Sequence, residues 1–368
     1  MLLEHTGGSS WLEASLTPVL LGLIAGALTL AASLFLPFAV RPLLEQWGIM
    51  DVPNERSSHT RPILRGLGLA VLIAMVVVGI VSVLLLWLAD RPGWATLLVC
   101  VVGFACSGLL GLREDLSGLS VRARSIALLA IGLVTPALLF LVSDPAPTIA
   151  WIAGAPGAPS SAIAVTALIV YAVLFTSSYI NVANFMDGLN GISGFHGTIA
   201  GVAFAVAGAA TGREWLTLAG LVLAAGFLGF LPWNLTKPGA FLGDVGSYLL
   251  GGAVAITSFA ALMSGVPFLA TIGPMVIYFG DVGVTLVKRV RAGKRWDEPH
   301  KEHTYQRIQQ LGYSHVAASA MAAGCTFVTS ALGLLAIATG LIGTLVLLLG
   351  GVAVLVLYLA LPKLLPAR

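Results

Sequence analysis

Long apolar runs alternate with short polar stretches along the whole chain of 368 residues. Eleven of these runs, at about 16–40, 66–89, 95–112, 125–143, 162–181, 194–211, 215–232, 246–264, 267–287, 320–340 and 342–362, are long enough to cross a bilayer. A span of roughly 20 apolar residues reaches across the hydrocarbon as an α-helix. Several runs are rich in Val, Ile and Gly, which weaken a helix in water. In lipid the backbone has to satisfy its own hydrogen bonds, so helix is still the form predicted. The pattern therefore predicts an all-α polytopic membrane protein, with residues 1–368 forming one integral membrane domain and no separate soluble domain, linker or repeat.

The polar stretches are unequal. If the first span enters from outside, the stretches on the inner side hold 17 of the 19 Lys and Arg residues, and only Arg91 and Arg213 remain outside. The positive-inside rule then predicts a periplasmic N-terminus and a cytoplasmic C-terminus. Eleven of the 16 acids and five of the six histidines fall on that same inner side. Any chemistry is expected there, near 41–65, 113–124, 182–194, 233–247 and 288–319.

Composition agrees. The chain is 58% hydrophobic and 10% charged, where a soluble domain carries about 25% charged residues. A net charge of +3 gives no reason to expect a nucleic-acid partner. Cys100, Cys106 and Cys325 lie inside apolar runs without paired spacing and read as small buried hydrophobes. The opening MLLEHTGGSSWLEAS has acids and no basic segment before the first span, so no cleaved signal peptide is expected.

Five inner stretches carry the candidate chemistry. DVPNERSSHTRPILRGLG (51–68) reads as a basic loop with Pro and Gly turns. GLREDLSGLSVRAR (111–124) places Glu114 and Asp115 side by side where a span ends. Adjacent carboxylates raise each other's pKa unless a cation stands close, so the pair is either a salt-bridge cluster with Arg113, Arg122 and Arg124, or a metal ligand and base. In NVANFMDGLNGISG (181–194), Asn181, Asn184, Asp187 and Asn190 recur every three residues, a spacing that turns them toward one face. A capped turn needs one such residue, whereas a row of four can read a nucleobase. In PGAFLGDVGSYLLGG (238–252), Asp244 opens a span among small residues. That helix start either offers free N–H groups to a phosphate or is capped by its own acid. Magnesium binds through one or two carboxylates plus substrate phosphates, so one Asp beside a phosphate is sufficient.

In DEPHKEHTYQRIQQLGYSH (297–315), His300 and His303 share a helix face, followed by Arg307. No third soft ligand is near enough to suggest zinc, and the surrounding basic residues favour an anion site over a bare loop. Asp281 lies inside the ninth run. An acid there is either functional or paired with Lys288 or Arg289 beyond the helix end. Acids, amides, imidazoles and arginines at the inner ends of different spans suit a transfer between a soluble anionic nucleotide and a membrane-held acceptor. A transporter would instead place them near mid-membrane in broken helices.

The stretches DVPNERSSH, GLREDLSGLSVRAR, NFMDGLNGISG, FLGDVGS and HKEHTYQR, in that order, resemble the bacterial polyprenyl-phosphate N-acetylhexosamine-1-phosphate transferases of glycosyltransferase family 4. That family includes the phospho-N-acetylmuramoyl-pentapeptide transferase. The likeness covers about residues 41–315. It implies a multi-pass enzyme of the bacterial inner membrane that depends on magnesium, with manganese as the alternative ion. Undecaprenyl phosphate would attack the sugar-proximal phosphate of a UDP-N-acetyl sugar and release UMP.

Carried over by position, Asp244 would hold the metal, with Asp115 as base or second ligand and Glu114 beside it. Asn181, Asn184, Asp187 and Asn190 would line the nucleotide site, and Phe241 would stack on uracil. His300, His303 and Arg307 would grip the pyrophosphate, and a homodimer is carried as a candidate assembly. The chain departs from the family at Glu114 and Asn190, where aspartates are usual, and in ILRGLGLA after Pro62. Asn190 can hydrogen-bond but cannot act as a base. The form HKEHTYQR looks closest to members that initiate O-antigen and other surface polysaccharides, with the muramoyl-pentapeptide enzyme as the alternative.

Overall fold

The computed structural model describes residues 9–51, 63–143, 160–236, 239–295 and 300–368. Its helices are α1 (Ser9–Gln46), α2 (Gly68–Leu88), α3 (Trp94–Ser117), α4 (Val121–Val142), α5 (Ser160–Met186), α6 (Ile192–Thr211), α7 (Glu214–Leu235) and α8 (Gly243–Met263), then α9 (Phe268–Ile272), α10 (Val276–Arg291), α11 (Thr304–Gln310), α12 (His315–Leu335) and α13 (Leu341–Leu364). A two-residue antiparallel pair, β1 (Met50–Asp51) and β2 (Ile63–Leu64), lies between α1 and α2. Among the described residues eleven spans are long and apolar enough to cross a membrane, the number that the hydrophobic runs predict. The protein is a multi-pass membrane protein.

The ninth span is made of α9 and α10 joined by a 3-10 turn at Gly273–Met275. Pro274 lacks the N–H that a continuous helix needs, and its ring crowds the carbonyl one turn back. The last two runs, which touch at Gly340 in the sequence, are separate helices with a 3-10 turn at Ala336–Ala338 between them.

Helices run further into the polar stretches than the apolar runs indicate. α3 continues to Ser117 and stops at Gly118, whose φ of 63° suits glycine. Glu114 and Asp115 are thus in its last turn and not in a loop. α12 begins at His315, five residues before the apolar run, because the Ser314 hydroxyl accepts the Ala317 N–H at 3.2 Å. Hydropathy marks the thickness of hydrocarbon; caps mark where helical hydrogen bonding stops.

Consecutive spans run in opposite directions. One end of the bundle therefore gathers the C-terminal ends of α1, α3, α5, α7, α10 and α13 with the N-terminal ends of α2, α4, α6, α8 and α12. We call this the polar end. Its pieces are tied together: the Phe241 N–H donates to the Leu64 carbonyl at 2.8 Å, and the Gly68 N–H to the Leu242 carbonyl at 2.8 Å.

α8 is the hub. Its apolar window is wholly buried by its neighbours, whereas only 6% of that of α13 is buried. Large apolar side chains such as Leu141 and Ile342 are each 80% exposed, as lipid-facing residues are. The start of α8 sits unusually close to two other helices. A Cβ on Gly111 would collide with the Asp244 carbonyl, and one on Gly68 with the Gly246 backbone. Small residues let helices approach in lipid, where no hydrophobic drive presses them together. Cys100 is buried and Cys325 half-buried, but Cys106 is exposed, contrary to the expectation that all three are buried. An apolar residue on a lipid-facing surface has no water to escape.

Candidate active site

The Gly111 contact places the last turn of α3 against the first turn of α8. There Asp115 accepts the N–H of Asp244 at 3.0 Å and that of Val245 at 2.8 Å. Its side chain is completely buried. The sequence leaves this helix start open to phosphate or capped by Asp244; instead an acid from a different helix caps it and takes its first N–H groups. Asp244 is thereby free to point away. Arg65, just after β2, donates Nε to Asp115 at 3.1 Å and Nη2 to Asp244 at 2.8 Å. Asn184, in the last turn of α5, donates Nδ2 to the other Asp244 oxygen at 2.8 Å and to the Ser247 hydroxyl at 3.0 Å.

Arg65 is a functional candidate that sequence reasoning missed. It belongs to ILRGLGLA and reads there as one cation of a basic loop. A basic residue three positions before a glycine-started helix is a weak signal; only the docking of α2 on α8 gives Arg65 its two acids.

Asp187 follows α5 in a tight turn and accepts the Ser193 hydroxyl at 2.6 Å. Burial pushes its carboxyl up to about 7; the Ser193 bond opposes this, Asp244 and Asp115 add to it, and Arg65 counters it. Asp187 thus shares the electrostatic field of the Asp115–Arg65–Asp244 cluster. The four-residue row divides. Asn184 and Asp187 join the cluster. Asn181 is about a turn deeper, its Nδ2 3.4 Å from the Ser177 carbonyl, beside a lateral groove of about 490 Å³ lined by Tyr171 and Phe175. Asn190 turns the other way and donates to the Asn234 carbonyl at 2.7 Å, while its own carbonyl accepts the Ser319 hydroxyl at 2.9 Å. A spacing of three holds residues on one face only while the helix lasts, and α5 ends at Met186.

Glu114 turns from Asp115 toward Arg124, whose Nη1 lies at 3.4 Å, and its Oε2 is buried without a hydrogen-bond partner. Phe241 is half-buried beside Arg65, since its backbone clasps β2. The stretch DVPNERSSH falls almost entirely outside the described residues.

The histidine stretch is anchored from below by Asp281. This acid, fully buried in α10, accepts the Thr304 N–H with both oxygens, at 2.9 and 3.0 Å, and the Tyr358 hydroxyl of α13 at 2.8 Å. Of the two readings of Asp281, pairing with Lys288 or Arg289 does not occur; Arg289 binds Glu302 at 2.7 Å. His303 is buried, stacked on Tyr305 and tilted against His300 with ring centres 4.8 Å apart. Burial, then His303 and Arg289, push the His300 imidazole down to about 4, so it is neutral at pH 7. Tyr305 donates to the Phe185 carbonyl at 3.0 Å and lies against Gly188, where a Cβ would strike its ring. Tyr305 thus links the histidines to the Asp187 turn: His303 stacks on its ring and His300 tilts against His303. Arg307 does not face this cluster. It lines a separate pocket with Lys288 and Lys301.

Among the described residues no group of three or more His, Cys, Asp or Glu side chains forms a ready-made metal cage. The acids still suit magnesium. Three acids, Asp115, Asp187 and Asp244, share a single guanidinium, Arg65, and a divalent cation would favour the ionised form of Asp187 that burial opposes. Hard oxygen donors with few protein ligands are what magnesium takes beside phosphates. A larger cavity, about 550 Å³, opens at the opposite end of the bundle around Arg91, Arg213 and Glu214 and shares no residue with this cluster.

The family described as glycosyl transferase family 4 matches residues 94–262. The decaprenyl-phosphate N-acetylglucosaminephosphotransferase of Mycolicibacterium smegmatis is 29% identical over 80% of this chain and 76% of its own. A probable undecaprenyl-phosphate N-acetylglucosaminyl 1-phosphate transferase of Bacillus subtilis is 25% identical over 79% and 78%. The phospho-N-acetylmuramoyl-pentapeptide-transferase of Corynebacterium urealyticum is 31% identical over 65% and 77%.

Proposed function

The chain belongs to glycosyl transferase family 4, and from that premise we propose that it moves an N-acetylhexosamine 1-phosphate from a UDP-sugar to a polyprenyl phosphate. The acceptor is undecaprenyl phosphate or a close homologue. The products are UMP and a polyprenyl-pyrophosphoryl sugar, the first lipid-linked unit of a surface polysaccharide. The reaction occurs at the cytoplasmic end of the bundle in the inner membrane. The observation that carries this reading is the convergence of Asp187, Asp244, Asn184, Arg65 and the His300–His303 pair from four separate stretches of chain.

Each residue has a task the geometry allows. Asp244 and Asp187 would hold magnesium, which when bound would neutralise charge developing on the pyrophosphate. Asp115 fixes the direction of Asp244 by holding the α8 start. Asn184 fixes the Asp244 rotamer and leaves its carbonyl for a donor. Arg65 places positive charge beside the acids, where it would meet phosphate oxygens. His300, neutral at pH 7, would donate one hydrogen bond and no full charge. A lipid phosphate is largely ionised near neutral pH, so its attack needs orientation more than a strong base. Glu114, turned toward Arg124, stands outside this set.

Offering labelled UDP-N-acetylglucosamine, UDP-N-acetylgalactosamine and UDP-N-acetylmuramoyl-pentapeptide in turn to purified protein with undecaprenyl phosphate and magnesium tests the proposal. Lipid-extractable label with matching UMP is expected from an N-acetylhexosamine donor. It is expected to vanish in Asp244→Asn, which should still insert into the membrane. Label only from the pentapeptide donor would transfer the reading to peptidoglycan synthesis.

A further inference from the structure

Beyond the transfer reaction, we propose that the polar end carries a second anion site, a phosphate-recognition pocket that grips the headgroup of an anionic phospholipid in the adjacent leaflet. The pocket, about 220 Å³, lies between α10, α11 and α13 and is lined by Lys288, Lys301 and Arg307 together with Thr285, Thr304 and Gln310.

It is separated from the acidic cluster by α11 itself. Tyr305 and Ile308 form one buried face of this helix, with Tyr305 against the Asp187 turn. Thr304, Arg307 and Gln310 recur every three residues on the other face and look into the pocket. The two sites share a helix but no lining residue named above.

Its charge is unbalanced. Glu302 also lines the pocket, but it is already held by Arg289 at 2.7 Å and Lys294 at 2.8 Å. Asp281, behind Thr285 and Thr304, is filled by Thr304, Thr285 and Tyr358. Among the described residues no hydrogen bond or ion pair engages the Lys288, Lys301 or Arg307 side chains. Three cations thus line the pocket against one carboxylate, Glu302, whose Oε1 is shared by Arg289 and Lys294 from outside it. The Gln310 amide donates to the Lys301 carbonyl at 2.9 Å and ties that loop to the end of α11, which keeps Lys301 over the pocket.

Size and surroundings select the ligand. At about 30 Å³ per water the space holds roughly seven waters, enough for a phosphate and its small substituent but too little for a nucleotide sugar. The rest of the lining is apolar, Val284 and Leu359. It continues onto Val287 and Val290, which are 49% and 59% exposed, and onto the lipid-facing surface of α13. A soluble anion has no use for that slope, whereas the acyl chains of a phospholipid lie along it. Lys and Arg at this depth are the groups that attract anionic headgroups.

The protein would be reconstituted in nanodiscs of phosphatidylcholine, with or without about 30 mol% phosphatidylglycerol. A third sample would have inorganic phosphate added to the phosphatidylcholine discs. Wild type is expected to melt a few degrees higher, about 3 °C, with phosphatidylglycerol. The Lys288→Gln/Lys301→Gln variant should melt like wild type in phosphatidylcholine and lose most of that rise. Arg291→Gln/Lys363→Gln, which removes the same charge from neighbouring exposed positions, should keep it. A lysine-dependent rise with inorganic phosphate as large as with the lipid would retain the phosphate pocket but make its ligand soluble. If the double variant does not fold, Lys301→Gln alone is compared. An undiminished rise in the pocket variants, or no rise in wild type with either ligand, overturns the proposal.

Discussion

Asp115 and Asp244, 129 positions apart in the chain, are joined through backbone: the Asp244 N–H donates to the Asp115 carboxylate at 3.0 Å while both carboxylates share Arg65. One acid is spent on architecture, which leaves the carboxylate of the other to Arg65 and Asn184. Asp115→Asn keeps the shape but removes the charge from two backbone bonds and one arginine bond. Charge-assisted hydrogen bonds contribute about 1.5–3 kcal/mol each in favourable cases. The variant should melt several degrees lower and lose at least about tenfold in transfer rate. Thermal melts and product formation on the same preparation check this; an unchanged melt would separate Asp115 from the α8 start.

Arg65→Lys tests the fork. A guanidinium reaches Asp115 and Asp244 with two different nitrogens, which a single ammonium cannot reproduce. Transfer should fall by about tenfold or more, with a smaller loss of stability than in Asp115→Asn. Equal activity in the lysine variant would reduce Arg65 to a general positive charge.

Asp187 predicts a pH effect of defined sign. Burial raises its carboxyl from 3.8 to about 7. Between those values the folded protein holds a proton that the unfolded chain has lost, so stability falls as pH rises through that window. Without divalent cation, wild type should therefore lose stability from about pH 5 to about pH 8 relative to Asp187→Asn. The variant should melt higher at the upper pH and show no transfer. Melts in chelator across this range, beside an activity assay, supply the test; parallel curves would count against it.

Tyr358→Phe removes one of the donors that hold Asp281. The acid keeps the two Thr304 contacts and the Thr285 hydroxyl. A loss of about 1–2 kcal/mol is expected. Hydrogen exchange should speed up over residues 300–310, the stretch that Asp281 anchors, and remain unchanged at Asn184.

How much of this was legible beforehand varies by residue. The polar stretches at one face pointed to Asp187, Asp244, His300 and His303, and the structure gathers all four at one end of the bundle. Asn190 and Arg307 had the same residue types at suggestive spacings, yet one braces α7 and α12 while the other faces a different pocket. Periodicity gives direction only within one unbroken helix, and both residues lie where a helix ends or a new one starts. Asp281 was visible as an anomaly in an apolar run, but its partners Thr304 and Tyr358 are 23 and 77 positions away.

By itself the sequence determined the solvent, the number of spans and the end at which polar chemistry collects. These follow from burial and hydrogen-bonding rules that act residue by residue along the chain. Only the tertiary structure decided which acid caps α8 and which turns to Asn184, and that Arg65 stands between them. That choice depends on how closely Gly68 and Gly111 let three helices approach, and glycine specifies the distance without specifying the partner.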